Sequence, residues 1–164
     1  MKIALATDHA GYEALQQLKQ FLESHGHEYV DFGPQNLDPN DDYPDFIFAA
    51  AKAVASGDCE AGIIFGGSGE GEAMAANRVT GVRCTVFYSP ATAQKAVDAE
   101  GTLSEDPYEI LKLSRQHNHA NMLSLSSRFL STEQVNQAVQ VWLATPYSDV
   151  ERHIRRIRKL DEMV

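Results

Sequence analysis

Ala61-Gly62-Ile63-Ile64-Phe65-Gly66-Gly67-Ser68-Gly69-Glu70-Gly71-Glu72 is the stretch that decides the fold. Five apolar residues in a row, with no polar alternation, fit a strand buried on both faces of a parallel sheet. Four glycines among residues 66–71 then turn the chain, and a helix is predicted from Glu72 to Arg78. Glycine lets a backbone turn tightly and bring its N–H groups to an anion at a helix start. No Gly-Lys-Ser/Thr follows, so this is not a Walker A loop. The glycines at 66, 67, 69 and 71 do not keep G-x-G-x-x-G spacing, and the loop follows the third strand instead of the first. What remains is a general cradle for an oxyanion or a phosphate.

Working outward, strand and helix alternate. Lys2–Ala6 reads as a first strand. Tyr12, Leu15, Leu18, Phe21 and Leu22 recur at helical spacing until Gly26 stops them. Glu28–Phe32 is a second strand, and residues 33–43 form a turn-rich loop. Pro44 opens a helix with Phe46, Ile47, Ala50, Ala51 and Val54 on its apolar face, closed by Ser56-Gly57-Asp58. Val82–Tyr88 is a fourth strand, after which Pro90 is expected to open a helix. Asn121–Leu125 is a fifth. Ser131/Gln134 and Ser148/Glu151 read as capping boxes for the last two helices, with Val150, Ile154 and Ile157 as the buried stripe of the final one. The expected fold is α/β: one three-layer, Rossmann-like (flavodoxin-like) domain over residues 1–164, with a five-stranded parallel sheet and helices on both faces.

Composition narrows the function. The chain has 164 residues with 14 Lys+Arg against 23 Asp+Glu, a net charge of −9. That argues against a nucleic-acid binder and against docking on an anionic membrane. The apolar share of 43% is that of a packed domain. Cys59 and Cys84 are too few for a disulfide framework or a four-ligand zinc site. The N-terminus turns polar at Thr7-Asp8-His9, too soon for a signal-peptide core, so the expected location is the cytoplasm.

Ligands of such sheets sit at the carboxyl ends of the strands. Asp8 and His9, after the first strand, are either site residues or a helix cap with its neighbour. Glu72 complements the dipole of its helix, or it is a general base beside the cradle, the arrangement needed to remove a proton next to a carbonyl. His117 and His119 lie in a segment, 114–119, read as a polar loop before the fifth strand. No carboxylate or third histidine stands at ligand spacing, so no metal is expected there, and either ring can serve as an acid–base group. Residues 152–159 hold five Arg/Lys and no acid, and Arg152 and Arg156 share one helix face. That local charge, hidden in the net −9, suits a phosphate.

Together these pieces resemble the RpiB/LacAB family of sugar-phosphate isomerases. The resemblance rests on Ala6-Thr7-Asp8-His9-Ala10-Gly11, Asp42-Tyr43-Pro44-Asp45, Gly66 to Glu72, Ala75-Ala76-Asn77-Arg78, Ser114-Arg115-Gln116-His117-Asn118, Ser127-Arg128 and Arg152 to Arg156. These occur in family order over nearly the whole chain. It implies an aldose–ketose isomerase working through a cis-enediolate without metal or cofactor, as a homodimer or dimer of dimers with sites shared between chains. By position, Glu72 is the proton shuttle and His117 opens the sugar ring. Gly67, Ser68, Gly69, Glu70 and Gly71 form the anion hole, with the Ser68 hydroxyl taking part. Asp8 and Asn118 hold sugar hydroxyls, Tyr43 lines the pocket, and His9, Arg128, Arg152 and Arg156 surround the phosphate. The implied substrate is ribose 5-phosphate, giving ribulose 5-phosphate. Galactose 6-phosphate, allose 6-phosphate or a tetrulose 4-phosphate are alternatives, as is a non-catalytic sugar-phosphate-binding protein.

The sequence departs from the family in three places. Gly66 stands where one branch has a cysteine base, which places this chain with the glutamate branch. Val150-Glu151 stand where glycines are common. An acidic insertion of 19 residues, Lys95 to Leu113, precedes the His117 motif. It is expected to extend a helix or fold over the rim of the site, or else to lie remote from the sugar.

Overall fold

The computed structural model describes residues 1–162. Five parallel strands, β1 (Lys2–Ala6), β2 (Glu28–Asp31), β3 (Ala61–Gly66), β4 (Cys84–Phe87) and β5 (Met122–Ser126), form one sheet in the order β2-β1-β3-β5-β4. The flavodoxin order would be 2-1-3-4-5. Here the last strand slots between β3 and β4 and leaves β4 at the edge. All six residues of β3 are buried, as its unbroken apolar run requires of a strand covered on both sides.

The helices are α1 (Tyr12–Ser24), α2 (Tyr43–Ala55), α3 (Glu70–Ala76), α4 (Glu109–Asn118), α5 (Thr132–Ala144) and α6 (Glu151–Asp161). Right-handed crossovers put α1, α4 and α5 on one face and α2 and α3 on the other. Leu15, Leu18, Leu22, Leu111, Val139 and Trp142 fill the first layer; Ile47, Ala50, Ala51, Val54 and Ala76 fill the second. Gly26 follows the end of α1 at φ +74°, and Pro44 sits in the first turn of α2. Ser131 and Gln134 make both bonds of the expected capping box. No helix among the described residues is long and apolar enough to cross a membrane.

Several boundaries differ from expectation. α3 begins at Glu70 because Gly69, at φ +84°, occupies its N-cap. Pro90 opens no helix. The chain is irregular from Tyr88 to Tyr108, where Asp98 and Asp106 capture the N–H groups of Glu100, Thr102 and Tyr108 and compete with helical bonding. The segment read as a polar loop at 114–119 is instead the end of α4, which starts at Glu109, inside the insertion. The Ser148/Glu151 box does not form. The Ser148 hydroxyl donates to the Gln116 carbonyl at 2.6 Å, Asp149 is left-handed, and Val150 becomes the N-cap of α6. The buried stripe of α6 is His153 and Ile157, while Val150 is exposed.

Candidate active site

The carboxyl ends of β1, β3 and β5 bring together Asp8, His9, Tyr43, the Gly67–Gly71 loop, Glu72 and Arg128. At Gly66 a Cβ would fall 2.0 Å from the Glu72 carboxyl carbon. The carboxylate therefore fills the space that any side chain at position 66 would take. Glu72 reaches that point because Gly69 turns the chain and puts it in the first turn of α3. Its residue is 5% exposed, and burial, aided by the charge of Asp8, raises its pKa above the ordinary glutamate value.

The other glycines let neighbours approach. A Cβ at Gly67 would lie 2.9 Å from the Arg128 guanidinium carbon, and one at Gly71 would lie 2.9 Å from the Tyr43 ring. The Ser68 hydroxyl accepts the Glu70 N–H at 3.3 Å, and the Glu70 carboxylate accepts the Tyr88 phenol at 2.6 Å. Asp8 is the cap of the short turn that follows β1. Oδ1 accepts the Ala10 N–H at 3.0 Å as a cap, and Oδ2 lies 3.9 Å from the His9 ring. His9 is held by Asp41, whose Oδ1 accepts its backbone N–H at 3.0 Å and lies 2.6 Å from Nδ1. Asp8, His9 and Asp41 are chemically able to ligate a cation, with ligand atoms within 4.8 Å of one another. The 2.6 Å separation is that of a direct hydrogen bond between two of them.

His117, Asn118, Arg152 and Arg156 form a second group. α4 runs opposite to the strands, so His117 and Asn118 stand at the amino end of β5. The glycine loop stands beyond the carboxyl end, where Gly66 pairs with Ser126. Met122 to Ser126 alone separates the groups by roughly 13 Å of strand. One chain does not unite them.

The His117 ring packs on His153 with centroids 4.3 Å apart. The Arg152 Nε–H donates to His153 Nε2 at 3.1 Å, and His153 Nδ1 lies 3.1 Å from Ser148 Oγ. Burial and the nearby cations hold the His153 pKa below the ordinary value, and a neutral ring suits its role as acceptor from Arg152. Arg115 anchors the end of α4. It donates to the carbonyls of Thr145 and Ala120 and lies 4.7 Å over the Trp142 ring. The insertion contributes the first half of α4, and its Glu100 lies 3.7 Å from Arg152. Arg156 is exposed one turn further along α6.

Sequence reasoning missed Asp41, Ser148 and His153. Asp41 is one of three aspartates in Asp38-Pro39-Asn40-Asp41-Asp42, where nothing in the pattern separates them. His153 was hidden by the arginines around it.

Gly66→Ala should leave the fold in place and cost turnover roughly 100-fold, because its methyl must push the Glu72 carboxylate aside. Steady-state kinetics beside a thermal melt separates this from unfolding.

Comparison with known proteins agrees with this fold. The Ribose/Galactose Isomerase family model matches residues 3–102 and 100–160, two pieces that meet inside the acidic insertion. Ribose-5-phosphate isomerase B of Mycolicibacterium paratuberculosis is 37% identical over 162 residues, 99% of this chain and 91% of that protein. The solved structure of the Clostridium thermocellum ribose-5-phosphate isomerase B superposes with a TM-score of 0.84 at 33% identity, covering 99% of this chain and 97% of that one. The Mycoplasma genitalium enzyme, solved with bound ribulose-5-phosphate, gives 0.83 at 34% identity, covering 99% and 95%. The chain belongs to the Ribose/Galactose Isomerase family.

Proposed function

We propose that this protein interconverts ribose 5-phosphate and ribulose 5-phosphate. The observation that carries the reading is the buried Glu72 carboxylate, held over Gly66 at the mouth of a glycine loop. The names of its relatives, and the ribulose-5-phosphate bound to one of them, support the choice of substrate. On open-chain aldose, Glu72 takes the C2 proton and returns it to C1, while a proton passes from O2 to O1 through the enediolate. The backbone N–H groups of Gly67–Gly71 and the Ser68 hydroxyl stabilise the enediolate oxygen. Asp8 holds a sugar hydroxyl and Tyr43 closes the pocket against the sugar. His9 and Arg128 bind the phosphate.

The other end of the site comes from a second copy of the chain. A two-fold axis across the β4 edge, perpendicular to the strands, exchanges the two ends of the sheet. It sets His117, Asn118, Arg152 and Arg156 of one copy against Glu72 of the other, and produces two equal sites at once. Met74 on α3 and Tyr88 beyond β4, 65% and 61% exposed, flank that edge. His117 then opens the furanose ring, and the arginines complete the phosphate site.

Incubation with ribose 5-phosphate in deuterated water, followed by NMR, tests the reaction. Ribulose 5-phosphate should form with deuterium entering at the shuttled position. Absence of both product and exchange sinks the reading. A panel of hexose and tetrose phosphates ranks the substrates.

The acid limb of kcat should lie above about pH 4.3, the ordinary glutamate value. Glu72 works as a carboxylate, and burial raises the pH below which it is protonated. Turnover measured from pH 4 to 8 checks this.

A further inference from the structure

We propose that Asp41 is a positioning residue for phosphate binding: it grips His9 by backbone and ring together, leaving Nε2–H as the one ring donor free to meet the substrate. This rests on the reading of His9 as a phosphate contact. A single oxygen, Asp41 Oδ1, takes the His9 N–H at 3.0 Å and the ring Nδ1 at 2.6 Å. Two bonds to one point fix both the position of the residue and the rotation of its ring. The ring bond is short enough for the charge-assisted class.

The state of the pair follows from what surrounds it. The Asp41 side chain is 9% exposed, and its Oδ2 is buried with no hydrogen-bond partner among the described residues. A proton on Oδ2 would have nothing to donate to, and one on Oδ1 would compete with two donors already there. Asp41 is therefore the carboxylate, and a buried carboxylate needs a neighbouring cation. His9 supplies it. The charged groups facing His9 are Asp41 from the loop before α2, Asp8 after β1 and Arg128 after β5. The two acids raise its pKa and Arg128 opposes them, with a net rise above the ordinary imidazole value. Asp8 cannot replace Asp41, because its Oδ1 caps Ala10 and its Oδ2, the oxygen facing the His9 ring, lies 3.9 Å away. The consequence is a ring biased toward the imidazolium and held in one orientation by Asp41.

The test is Asp41→Asn in the full-length protein, read three ways. The first is an NMR titration of the His9 ring, assigned by its absence in His9→Asn. The second is KM and kcat for ribose 5-phosphate against pH, and the third is inhibition by inorganic phosphate. At pH 7.5, KM and the phosphate inhibition constant should rise roughly 10-fold while kcat stays within about threefold. The gap should narrow near pH 5.5, where the ring is protonated without help. The His9 midpoint should fall, and adding Asp41→Asn to His9→Asn should change KM less than about twofold. An unshifted midpoint, a KM change independent of pH, or the same loss in the His9→Asn background overturns the proposal. Should Asp41→Asn fail to fold, the wild-type titration decides: a His9 midpoint at or below the ordinary imidazole value overturns it. If the wild type does not isomerise ribose 5-phosphate, the functional reading fails, while the titration still judges the Asp41–His9 pair.

Discussion

Glu72→Gln should lower turnover by roughly 10³–10⁴-fold and abolish solvent deuterium exchange, with KM changed little. The substitution keeps the shape of the side chain over Gly66 and removes the base. The phosphate contacts proposed at His9 and the arginines are untouched. The same variant should melt at a higher temperature than the wild type at neutral pH. Burial raises the pKa of Glu72 in the folded state, so folding favours its protonated form. The stability that goes with that form is fully present below the unfolded-state pKa, near 4.3, and is lost as pH rises through the folded value. Glutamine imitates the protonated carboxyl at every pH. Its advantage should therefore shrink on acidification and vanish below the ordinary carboxylate range. A base that costs stability where it works is a familiar trade. Melting curves at pH 4 and pH 7.5, beside kinetics, check both halves. Near-normal turnover would remove Glu72 from the mechanism.

Two inactive variants should restore activity when their chains are mixed. In the proposed shared dimer site, His117→Asn spoils the ring-opening end and Glu72→Gln spoils the proton-shuttle end. With chains exchanged at random, half the dimers are mixed. Each mixed dimer has one site with both defects and one with neither. Activity should return to about a quarter of the wild-type value, from almost none in either preparation alone. Co-expression with two tags isolates the mixed dimer and should give about half. No recovery would mean that each chain works alone, against the roughly 13 Å of strand between the two groups.

The first half of the site was legible in the sequence because chemistry and folding signals coincide there. Gly66 to Glu72 announces a strand end, a turn and a helix start in seven letters, and all three are also what the cradle needs. Asp8-His9 sits at a strand end for the same reason. The strand order was not legible. Nothing local in β4 or β5 says which of them lies next to β3, since that choice is made by the packing of whole layers. The helix expected from Pro90 failed because side chains in the insertion satisfy the backbone by themselves. Arg115 looked like part of a polar loop, yet its guanidinium is spent on two carbonyls and the Trp142 face. Asp41 could not be chosen from sequence because its role lies in a contact 32 positions away.

The exchange of the last two strands also governs how the chain can be made. β1, β2 and β3 can pair as soon as they leave the ribosome. β4 emerges next but has no neighbour, because the slot between it and β3 belongs to β5. Until synthesis reaches Ser126, the flank of β3 that presents the Gly62 N–H and the Gly66 carbonyl stands open, and the irregular Tyr88–Tyr108 stretch lengthens the wait. An unpaired apolar strand is a site for wrong partners. The arrival of β5 closes that flank and recruits β4 in a single event, so the sheet is completed from its middle outward.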